Sequence, residues 1–214
     1  MRIPIAPEGW PFILASLALA VILWFFDVRI GFYSLFFPAL SLLFFIIWFF
    51  RDPEREIPGG DEAIVSPADG KVIIVEEVDE DRFLKGRALK ISIFMNVFNV
   101  HVNRAPASGR IIDIFYNPGK FFNASFDKAS LLNEQNALLI EAENGKRYVA
   151  NQIAGLIARR IVCRVKPGDK LVRGARFGLI RFGSRLDVFL PVDVTVKVKL
   201  GEKVSAGSSV LANW

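Results

Sequence analysis

The sequence holds little of what many enzymes use for chemistry: it has one cysteine, one histidine and no clustered metal ligands. Because Cys163 has no second thiol to pair with, no disulfide can form within the chain, which fits a reducing compartment. Cys163 lies in the apolar run IVCRV, a setting typical of a small core residue. His101 stands alone, and no spacing of His, Cys, Asp and Glu matches a zinc site. The sequence therefore argues against a disulfide scaffold and predicts no bound metal.

Charged side chains are scarce in the first fifty residues. Four occur there, and their charges cancel: Arg2, Glu8, Asp27 and Arg29. The net charge of +5 therefore belongs to residues 51–214, which are numerous enough for one well-packed globular domain.

Two uncharged runs, 11–26 and 30–50, fill most of this segment and are separated only by residues 27–29. The second run is long enough to cross about 30 Å of hydrocarbon as a helix, with Pro38 as the source of a kink; the first run is short for that. Three tryptophans lie near the ends of the runs, where interfacial aromatic side chains are favoured: Trp10, Trp24 and Trp48. The pattern predicts that residues 1–50 form a hydrophobic helical hairpin that anchors the chain in a membrane.

Several placements of this hairpin remain open. It can span the membrane or lie as a shallow insertion in one leaflet, and a buried helix pair in a soluble protein is the competing interpretation. No small-residue cleavage site follows the first run, which disfavours a secretory signal peptide. A hairpin returns both ends to one side, and Arg51, Arg55 and the amino terminus favour the cytoplasmic side. We therefore expect a protein of the cell membrane whose larger domain faces the cytoplasm.

The rest of the chain, 51–214, follows a charged linker at 51–62 and contains many short runs rich in Val, Ile and Phe. Alternation is clearest in 193–200, and it predicts a strand with three valines on one face: Val194, Val196 and Val198. Helices are the interpretation for 128–142 and 153–161. We expect a mainly β domain with few short helices.

An internal repeat relates VKPGDKLVRG, residues 165–174, to VKLGEKVSAG, residues 198–207. Such paired half-motifs resemble those of biotinyl and lipoyl carrier domains, in which two copies wrap into a flattened β-barrel or sandwich. Two similar hairpins arising by chance are the alternative. A carrier needs a modifiable lysine between the copies, and the segment between them has none before Lys197. The layout is carrier-like, but the chemistry of a carrier is not expected.

Gly183 and Ser184 interrupt the strand-like stretch FGLIRFGSRLDVFLP, where a glycine is costly. From these residues alone, the dipeptide is either a turn between two strands or a place where the chain reacts with itself. His101 follows the apolar run ISIFMNVFNV, and a lone histidine is more often a hydrogen-bonded structural residue. Asp69 in SPADG is equally consistent with a turn. The residues by themselves leave these alternatives open.

Five segments, in this order, resemble the phosphatidylserine decarboxylase proenzyme family in its short, single-domain form. They are FFRDPERE (49–56), SPADGKV (66–72), IFMNVFNVHVNRAPASG (93–109), QIAGLIARRIV (152–162) and RFGSR (181–185). The resemblance covers most of the chain. It implies that the Ser184 hydroxyl attacks the carbonyl of Gly183, which converts the amide to an ester, and that elimination then cuts the chain. The products would be residues 1–183 and 184–214, held together as a heterodimer, with Ser184 converted to a covalent pyruvoyl cofactor.

The resemblance also implies roles for two further residues. His101, in the HVNRAP motif, would be the base that activates Ser184, and Asp69 would orient its imidazole in an Asp-His-Ser arrangement. Larger members of the family carry a second histidine where this chain has Arg104. Whether His101 serves both self-cleavage and decarboxylation therefore stays open.

The implied reaction is decarboxylation of phosphatidylserine to phosphatidylethanolamine and carbon dioxide, a step of phospholipid biosynthesis. The pyruvoyl ketone would form a Schiff base with the substrate amine and accept the electrons that the carboxylate releases. A basic domain is attracted to anionic lipid by about 1 kcal/mol per nearby Lys or Arg. Candidates to hold the headgroup phosphate are Arg104, Lys120, Arg159 and Arg160, with 123–136 as a polar site loop. No nucleic-acid motif is present, so nucleic acid is not an expected partner; assembly of several copies is left open.

Two other functions compete with this hypothesis. One is a membrane-anchored adaptor with a carrier-like barrel, in which residues 183 and 184 form an ordinary turn and the chain stays whole. The other is a pyruvoyl decarboxylase that acts on a soluble amino acid, which the two apolar runs disfavour.

Overall fold

The computed structural model describes residues 3–30, 34–119, 133–155, 160–181 and 184–214. The chain divides into two compact units, Met1–Glu54 and Arg55–Trp214. The division falls within the charged segment that the sequence predicts to be a linker.

The first unit is a helical hairpin. Its elements are a single 3₁₀ turn, Pro7–Gly9, and two helices, α1 (Trp10–Ile30) and α2 (Phe36–Phe49). The ring of Phe12, near the start of α1, stacks on Phe50 just after α2, with centroids 5.4 Å apart. Trp24, near the end of α1, meets Phe36 at the start of α2 at 4.9 Å. The two helices are therefore antiparallel, and the predicted hairpin is confirmed.

Asp27, the acid between the two apolar runs, caps the second helix. Its Oδ2 accepts the backbone N–H groups of Leu35 at 3.1 Å and Phe36 at 2.8 Å. The first N–H groups of a helix have no partner within the helix, and a carboxylate there also interacts favourably with the helix dipole. Asp27 itself belongs to α1 and is fully buried. One side chain thus joins the end of one helix to the start of the next.

The relative lengths of the two helices differ from the prediction. α1 has 21 residues, or about 32 Å of helix, whereas α2 has 14, or about 21 Å. The expectation that the second run forms the longer helix was wrong, because that helix does not begin until Phe36. Pro38 lies in its first turn, where a missing N–H is tolerated, so it helps to start the helix and does not kink it.

The surface of this hairpin is apolar. In the described part of the chain, one helix, Pro7–Arg29, is long and apolar enough to cross a membrane by length and composition. Large side chains on both helices are exposed, among them Leu14, Ile22, Phe25, Phe37 and Phe44. This surface is compatible with membrane association and unlike that of a buried core helix pair.

The second unit is built from fourteen strands in the described residues. They are β1 (Ala63–Val65), β2 (Gly70–Glu80), β3 (Gly86–Met95), β4 (Val102–Arg104), β5 (Gly109–Asn117), β6 (Gln135–Ala142), β7 (Arg147–Ala154), β8 (Ile161–Cys163), β9 (Lys170–Leu171), β10 (Arg176–Ile180), β11 (Ser184–Leu190), β12 (Thr195–Val196), β13 (Lys203–Val204) and β14 (Val210–Asn213). An eight-stranded sheet has the order β13-β2-β3-β11-β7-β6-β5-β9, and two three-stranded sheets have the orders β1-β14-β12 and β4-β10-β8. The predicted mainly β class is confirmed.

The helices predicted at 128–142 and 153–161 are wrong wherever the structure describes them. Residues 135–142 form β6, and the ends of the second segment belong to β7 and β8. Nearly every residue of β6 is buried, so the sequence lacks the strict alternation of a half-exposed strand. Residues 120–132 and 156–159 lie outside the described part of the chain.

The strand predicted at 193–200 shrinks to Thr195–Val196, an edge strand that pairs only with β14. Val194 and Val198 are buried, but Val196 is 36% exposed. The three valines therefore do not share one buried face, because the chain leaves the sheet after two residues.

The eight-stranded sheet has the same arrangement from both edges. From one edge the order is β13-β2-β3-β11, and from the other it is β9-β5-β6-β7. The small sheets correspond in the same way, since β1-β14-β12 matches β4-β10-β8. The unit therefore consists of two similar halves. We call β4 to β10 the continuous half and β1 to β3 together with β11 to β14 the split half.

The repeat predicted at 165–174 and 198–207 is part of this duplication. Its strands β9 and β13 close opposite edges of the large sheet. Glycines at matching places of the two copies take positive φ: Gly168 (93°) and Gly201 (87°), then Gly174 (77°) and Gly207 (78°). The repeat is confirmed, and its turns require glycine.

A second pair of segments completes the duplication and was not predicted. SPADGKV, residues 66–72, corresponds to APASGRI, residues 105–111. Gly70 and Gly109 each lie so close to a carbonyl oxygen of the facing strand that a Cβ would not fit. The continuous half is thus inserted between β3 and β11 of the split half, and the chain returns to the split half between residues 180 and 184.

Candidate active site

Ser184 is the first residue of β11, at the centre of the large sheet. It lies opposite Met95 of β3 on one side and Ala154 of β7 on the other. The residue is fully buried, and its Oγ–H donates to Met95 Sδ at 3.8 Å. Its face of the strand continues into Leu186 and Val188 of the main core. The hydroxyl therefore points into the interior of the domain, against a weak acceptor.

The chain changes sheets immediately before Ser184. β10 ends at Ile180 in a small sheet, between β4 and β8, whereas β11 belongs to the large sheet. Gly183, the predicted cleavage partner, lies outside the described residues. In the sequence, Gly183-Ser184-Arg185 corresponds to Gly145-Lys146-Arg147, since β11 matches β7. The second tripeptide covers the end of the turn that joins β6 to β7 and the first residue of β7, and Gly145 has a φ of 79° there.

His101 lies at the same junction. It is fully buried in the connection between β3 and β4, and its Nδ1 is 2.9 Å from the carbonyl oxygen of Asn99. A carbonyl oxygen only accepts, so Nδ1 carries the proton and the neutral ring keeps its lone pair on Nε2. The backbone oxygen of His101 accepts the N–H of Ile180 at 3.3 Å. The structure therefore brings His101 beside the last residue of β10, four positions before Ser184.

Asp69 is held by two partners. Arg55 Nη2 donates to its Oδ1 at 3.0 Å and its Oδ2 at 2.8 Å, and Oδ1 also accepts the N–H of Ala206 at 2.8 Å. Across the described residues, His101 is not among the hydrogen-bond partners of Asp69. Orientation of the imidazole through Nδ1 falls to the Asn99 carbonyl, and the orienting role of Asp69 stays a prediction.

Three buried amides form a relay that ends at Met95, the residue that Ser184 also contacts. Asn136 Nδ2 donates to Gln152 Oε1 at 3.0 Å, and Gln152 Nε2 donates to Asn103 Oδ1 at 2.8 Å. Asn103 Nδ2 then donates to Met95 Sδ at 3.9 Å, the same sulfur that Ser184 contacts. We call Asn136, Gln152 and Asn103 the amide relay. It joins β6 and β7 of the large sheet to β4 of a small one.

Glu134 is a buried carboxylate close to this centre. Its Oε1 accepts the hydroxyl of Tyr116 at 3.0 Å, and its Oε2 has no hydrogen-bond partner among the described residues. Burial, followed by the hydrogen bond to Glu134, raises the pKa of Tyr116. The backbone oxygen of Glu134 accepts the N–H of Ala154, the residue opposite Ser184, at 3.0 Å. The backbone of Glu134 thus lies beside the residue that faces Ser184.

The opposite face of β11 carries a buried ion pair. Arg185 Nε donates to Asp187 Oδ1 at 2.6 Å, and Arg185 Nη2 donates to Ser92 Oγ of β3 at 3.0 Å. Both charged side chains are almost fully buried. The pair ties β11 to its neighbour from the side away from Ser184.

Comparison with known proteins decides the family. The family model of phosphatidylserine decarboxylase matches residues 42–212. The phosphatidylserine decarboxylase proenzyme of Nitrosomonas eutropha is 51% identical over 98% of this chain. Those of Geobacter metallireducens and Burkholderia ambifaria are 50% and 49% identical, each over 97% of it. The match covers 95% of each relative. The chain belongs to the phosphatidylserine decarboxylase family. The resemblance carried by the five sequence segments is confirmed.

Of the four basic residues predicted to hold the headgroup of a phosphatidylserine decarboxylase substrate, the structure describes Arg104 and Arg160. Arg104 is 4% exposed, and its Nη1 donates to the carbonyl of Gly174 at 3.0 Å. At the matching position the split half has Val65, so the fold does not need a charge there. Arg160 is exposed, whereas Lys120, Arg159 and most of the loop 123–136 lie outside the described residues. Binding of the headgroup by these residues stays a prediction.

Sequence reasoning assigned no role to the amide relay or to Glu134 in this decarboxylase, although Glu134 and Asn136 fall within the predicted site loop 123–136. Asn103 lies within the HVNRAP motif, but its neighbours Gln152 and Asn136 come from distant segments that meet only through strand pairing. A polar residue inside the apolar runs of β6 and β7 was the available signal. Among the described residues, no group of three or more His, Cys, Asp and Glu side chains could hold a metal ion.

Proposed function

We propose that this protein decarboxylates phosphatidylserine to phosphatidylethanolamine, using a pyruvoyl group that it makes from Ser184 by cutting its own chain after Gly183. Membership of the phosphatidylserine decarboxylase family supports the reaction. The observation that carries the assignment of the centre is the position of Ser184, buried at the start of the central strand and next to the junction that holds His101.

Self-cleavage makes and breaks a small number of bonds. The Ser184 Oγ attacks the Gly183 carbonyl carbon and gives its proton to His101 Nε2. The peptide C–N bond then breaks, His101 passes the proton to the leaving nitrogen, and an ester forms. Removal of the Ser184 α-proton then breaks the Cβ–Oγ bond, and residue 183 leaves as a carboxylate. Water replaces the amino nitrogen of the resulting dehydroalanine, which departs as ammonia. His101 is suited to the first proton transfer because Asn99 holds the ring with its lone pair on Nε2.

The surroundings of Ser184 fit a small uncharged carbonyl group. Met95 and Ala154 flank the position, and the amide relay offers one N–H donor there. When formed, the pyruvoyl group would supply a ketone that reacts with a primary amine and accepts electrons. The residues of this chain would enclose that group, exclude water from it and provide a hydrogen-bond donor.

The strand arrangement supports a cut at this point. β10 is held between β4 and β8, and β11 pairs with β3 over residues 184–190 and with β7 over residues 184–189. The two ends formed by cleavage would therefore belong to different sheets, and neither depends on the broken bond for its position. The two products, 1–183 and 184–214, would remain one folded heterodimer.

The helical hairpin supports a lipid substrate. Its exposed apolar side chains suit contact with a bilayer, and the basic catalytic domain suits an anionic surface. We assign the hairpin, residues 1–50, to membrane anchoring and the domain, 51–214, to catalysis on the cytoplasmic side.

Intact-mass measurement of the purified protein tests the proposal. We expect two polypeptides, 1–183 and 184–214, the second lighter by the mass of ammonia than a chain that begins with serine. The cleaved protein should release carbon dioxide from phosphatidylserine in liposomes and not from free serine. A single uncut chain with an intact Ser184 would instead favour the adaptor hypothesis, and turnover of free serine would favour a soluble substrate.

A further inference from the structure

The amide relay runs in one direction, towards residue 184. Asn136 donates to the oxygen of Gln152, and the nitrogen of Gln152 donates to the oxygen of Asn103. Hydrogen bonds in such a chain polarise one another, so the last donor is strengthened. That donor, Asn103 Nδ2–H, contacts the thioether of Met95 at 3.9 Å, and the described residues offer it no other acceptor. A good donor directed at a weak acceptor is available for a better one.

The split half of the domain shows which side chains occupy the positions of the amide relay when they are not next to residue 184. In the continuous half, Asn136 lies opposite Gln152 across β6 and β7. The same pair of positions in the split half, across β3 and β11, holds Leu89 and Leu190. Both leucines are buried in the main core.

Asn103, the third member of the amide relay, also corresponds to an apolar residue in the split half. Asn103 lies opposite Gly178 in the pairing of β4 with β10, and its counterpart Ile64 lies opposite Ala212 in the pairing of β1 with β14. Ile64 and Ala212 are fully buried. A Cβ on Gly178 would be 2.9 Å from Nε2 of Gln152 and would also meet a backbone oxygen of β8. The continuous half thus has a glycine where a hydrogen-bonding amide needs the room.

The comparison of the two halves shows which features of these positions the fold itself requires. Three leucine and isoleucine side chains fill the positions in the split half, and replacing hydrogen-bonded partners by apolar groups of similar shape can be neutral or stabilising. Burial of three amides is therefore not required for packing. The polar version occurs in the half whose relay ends beside Ser184.

We propose that Asn103 is a binding group of the mature reaction centre. Its Nδ2–H donates to a carbonyl oxygen of the pyruvoyl group at position 184, and Gln152 and Asn136 are positioning residues that fix the orientation of the amide. The assignment rests on the proposed conversion of Ser184. A donor directed at that oxygen polarises the carbonyl and favours attack by an amine.

The decisive test replaces the relay with the side chains of the other half, Asn103→Ile, Asn136→Leu and Gln152→Leu together. The full-length protein is assayed for thermal unfolding, self-cleavage on a denaturing gel, and the rate at which phenylhydrazine captures the ketone. We expect unfolding at the parental temperature or above and formation of the short chain. Capture should slow about tenfold or more, and kcat should fall on the order of 10²-fold with little change in KM. Capture and kcat at the parental values would overturn the assignment.

A single variant and a matched control complete the design. Asn103→Asp keeps an acceptor for Gln152 but removes the donor, so it should also slow capture. Asn151→Leu on the opposite face of β7 breaks a comparable amide pair, with Gln135 at 3.0 Å, and should capture phenylhydrazine at the parental rate. If the triple variant and Asn103→Asp both fail to self-cleave while Asn151→Leu is cut, Asn103 acts in the precursor and the assignment is wrong. The triple variant could instead unfold well below the parental temperature while Asn103→Asp captures phenylhydrazine at the parental rate. That result would show that the relay has a structural role only. A parent protein without any capturable ketone would instead remove the proposed function itself.

Discussion

Asp69 and Ser108 occupy equivalent positions in the two halves of the domain, and each accepts one backbone N–H from the repeat that follows. Asp69 Oδ1 accepts from Ala206 at 2.8 Å, and Ser108 Oγ accepts from Arg173 at 3.0 Å. The fold therefore needs an oxygen at this position but not a negative charge. Asp69 also carries a negative charge, which is paired with Arg55. Because Ser108 has no such charge, the charge of Asp69 is not explained by the fold and is a candidate for a functional role.

Asp69→Ser separates these two roles. The serine hydroxyl can keep the bond to Ala206, so we expect a loss of stability of about 1–2 kcal/mol. If the carboxylate supports the base, self-cleavage should slow at least about tenfold. The rate is measured as appearance of the short chain on a denaturing gel. Cutting at the normal rate would leave Asp69 with a structural role alone.

Ser184→Ala should give an uncut, inactive protein, because no hydroxyl remains to attack residue 183. The chain contains a second Gly-Ser dipeptide, Gly207-Ser208, which offers a matched control. Ser208 is partly exposed and its hydroxyl donates to the carbonyl of Glu56 at 3.0 Å. Ser208→Ala should be cut at 183–184 as usual, and intact mass distinguishes the two. Cleavage of the Ser184 variant would place the reactive serine elsewhere.

His101→Asn tests the base without removing its structural contact. The asparagine amide can donate to the Asn99 carbonyl as Nδ1 does, but it cannot accept a proton at neutral pH. Self-cleavage should fall by about 10²–10⁴-fold, the usual contribution of a general base, while thermal unfolding changes little. Time courses on gels provide the rate. Normal cleavage and turnover in this variant would exclude His101 from both steps.

The short chain should remain bound after cleavage. β11 pairs with β3 and β7, and Arg185 of the short chain donates to Ser92 of the long chain. Size-exclusion chromatography of the mature protein in mild detergent should yield both chains in one peak, which denaturant separates. Elution of residues 184–214 on their own under native conditions would contradict the sheet topology.

Tyr148 should make the protein sensitive to alkali. It is fully buried, its hydroxyl donates to the carbonyl of Ala107 at 2.8 Å, and burial raises its pKa far above the ordinary value. The folded state keeps this proton while the unfolded chain loses it near pH 10. The stability contributed by neutral Tyr148 is therefore present below pH 10 and is lost above it by about 1.4 kcal/mol per pH unit.

The Tyr148→Phe variant should lack this decline. It leaves the Ala107 carbonyl without its donor, so the variant should be less stable than the parent at pH 8, and the difference should narrow between pH 10 and 11. Denaturant unfolding in detergent at these pH values measures both effects. Equal slopes for the two proteins would show that Tyr148 ionises in the folded state.

Local patterns predicted much of this molecule. The apolar runs indicated the helical hairpin, and the clusters of Val, Ile and Phe indicated the β domain. Prediction failed where burial removes the pattern: residues 135–142 are buried on both faces, so their sequence does not distinguish a strand from a helix. The start of α2 depends on a cap that comes from Asp27 in the other helix, which a run of apolar residues does not reveal.

Some residues of the candidate site could likewise be predicted from local patterns, and others could not. Ser184 and His101 lie in short motifs and could be found from the sequence. The relay could not, because Asn103, Gln152 and Asn136 are neighbours only through strand register and the contact between two sheets. The sequence revealed only one pair of matching segments of the duplication, 165–174 and 198–207. The continuous half is inserted into the split half, so the matching segments do not recur at a constant spacing.

The ends of a polypeptide ordinarily lie on the surface of a domain. A cut before Ser184 would create an amino-terminal group that is enclosed from the moment it forms, because the residue is fully buried and β11 stays between its neighbours. A dissolved amine such as phenylhydrazine would then react with the ketone only as fast as the enclosing residues admit small molecules. The amine of a lipid headgroup would meet the same enclosure, so the headgroup would have to enter the domain before it reacts.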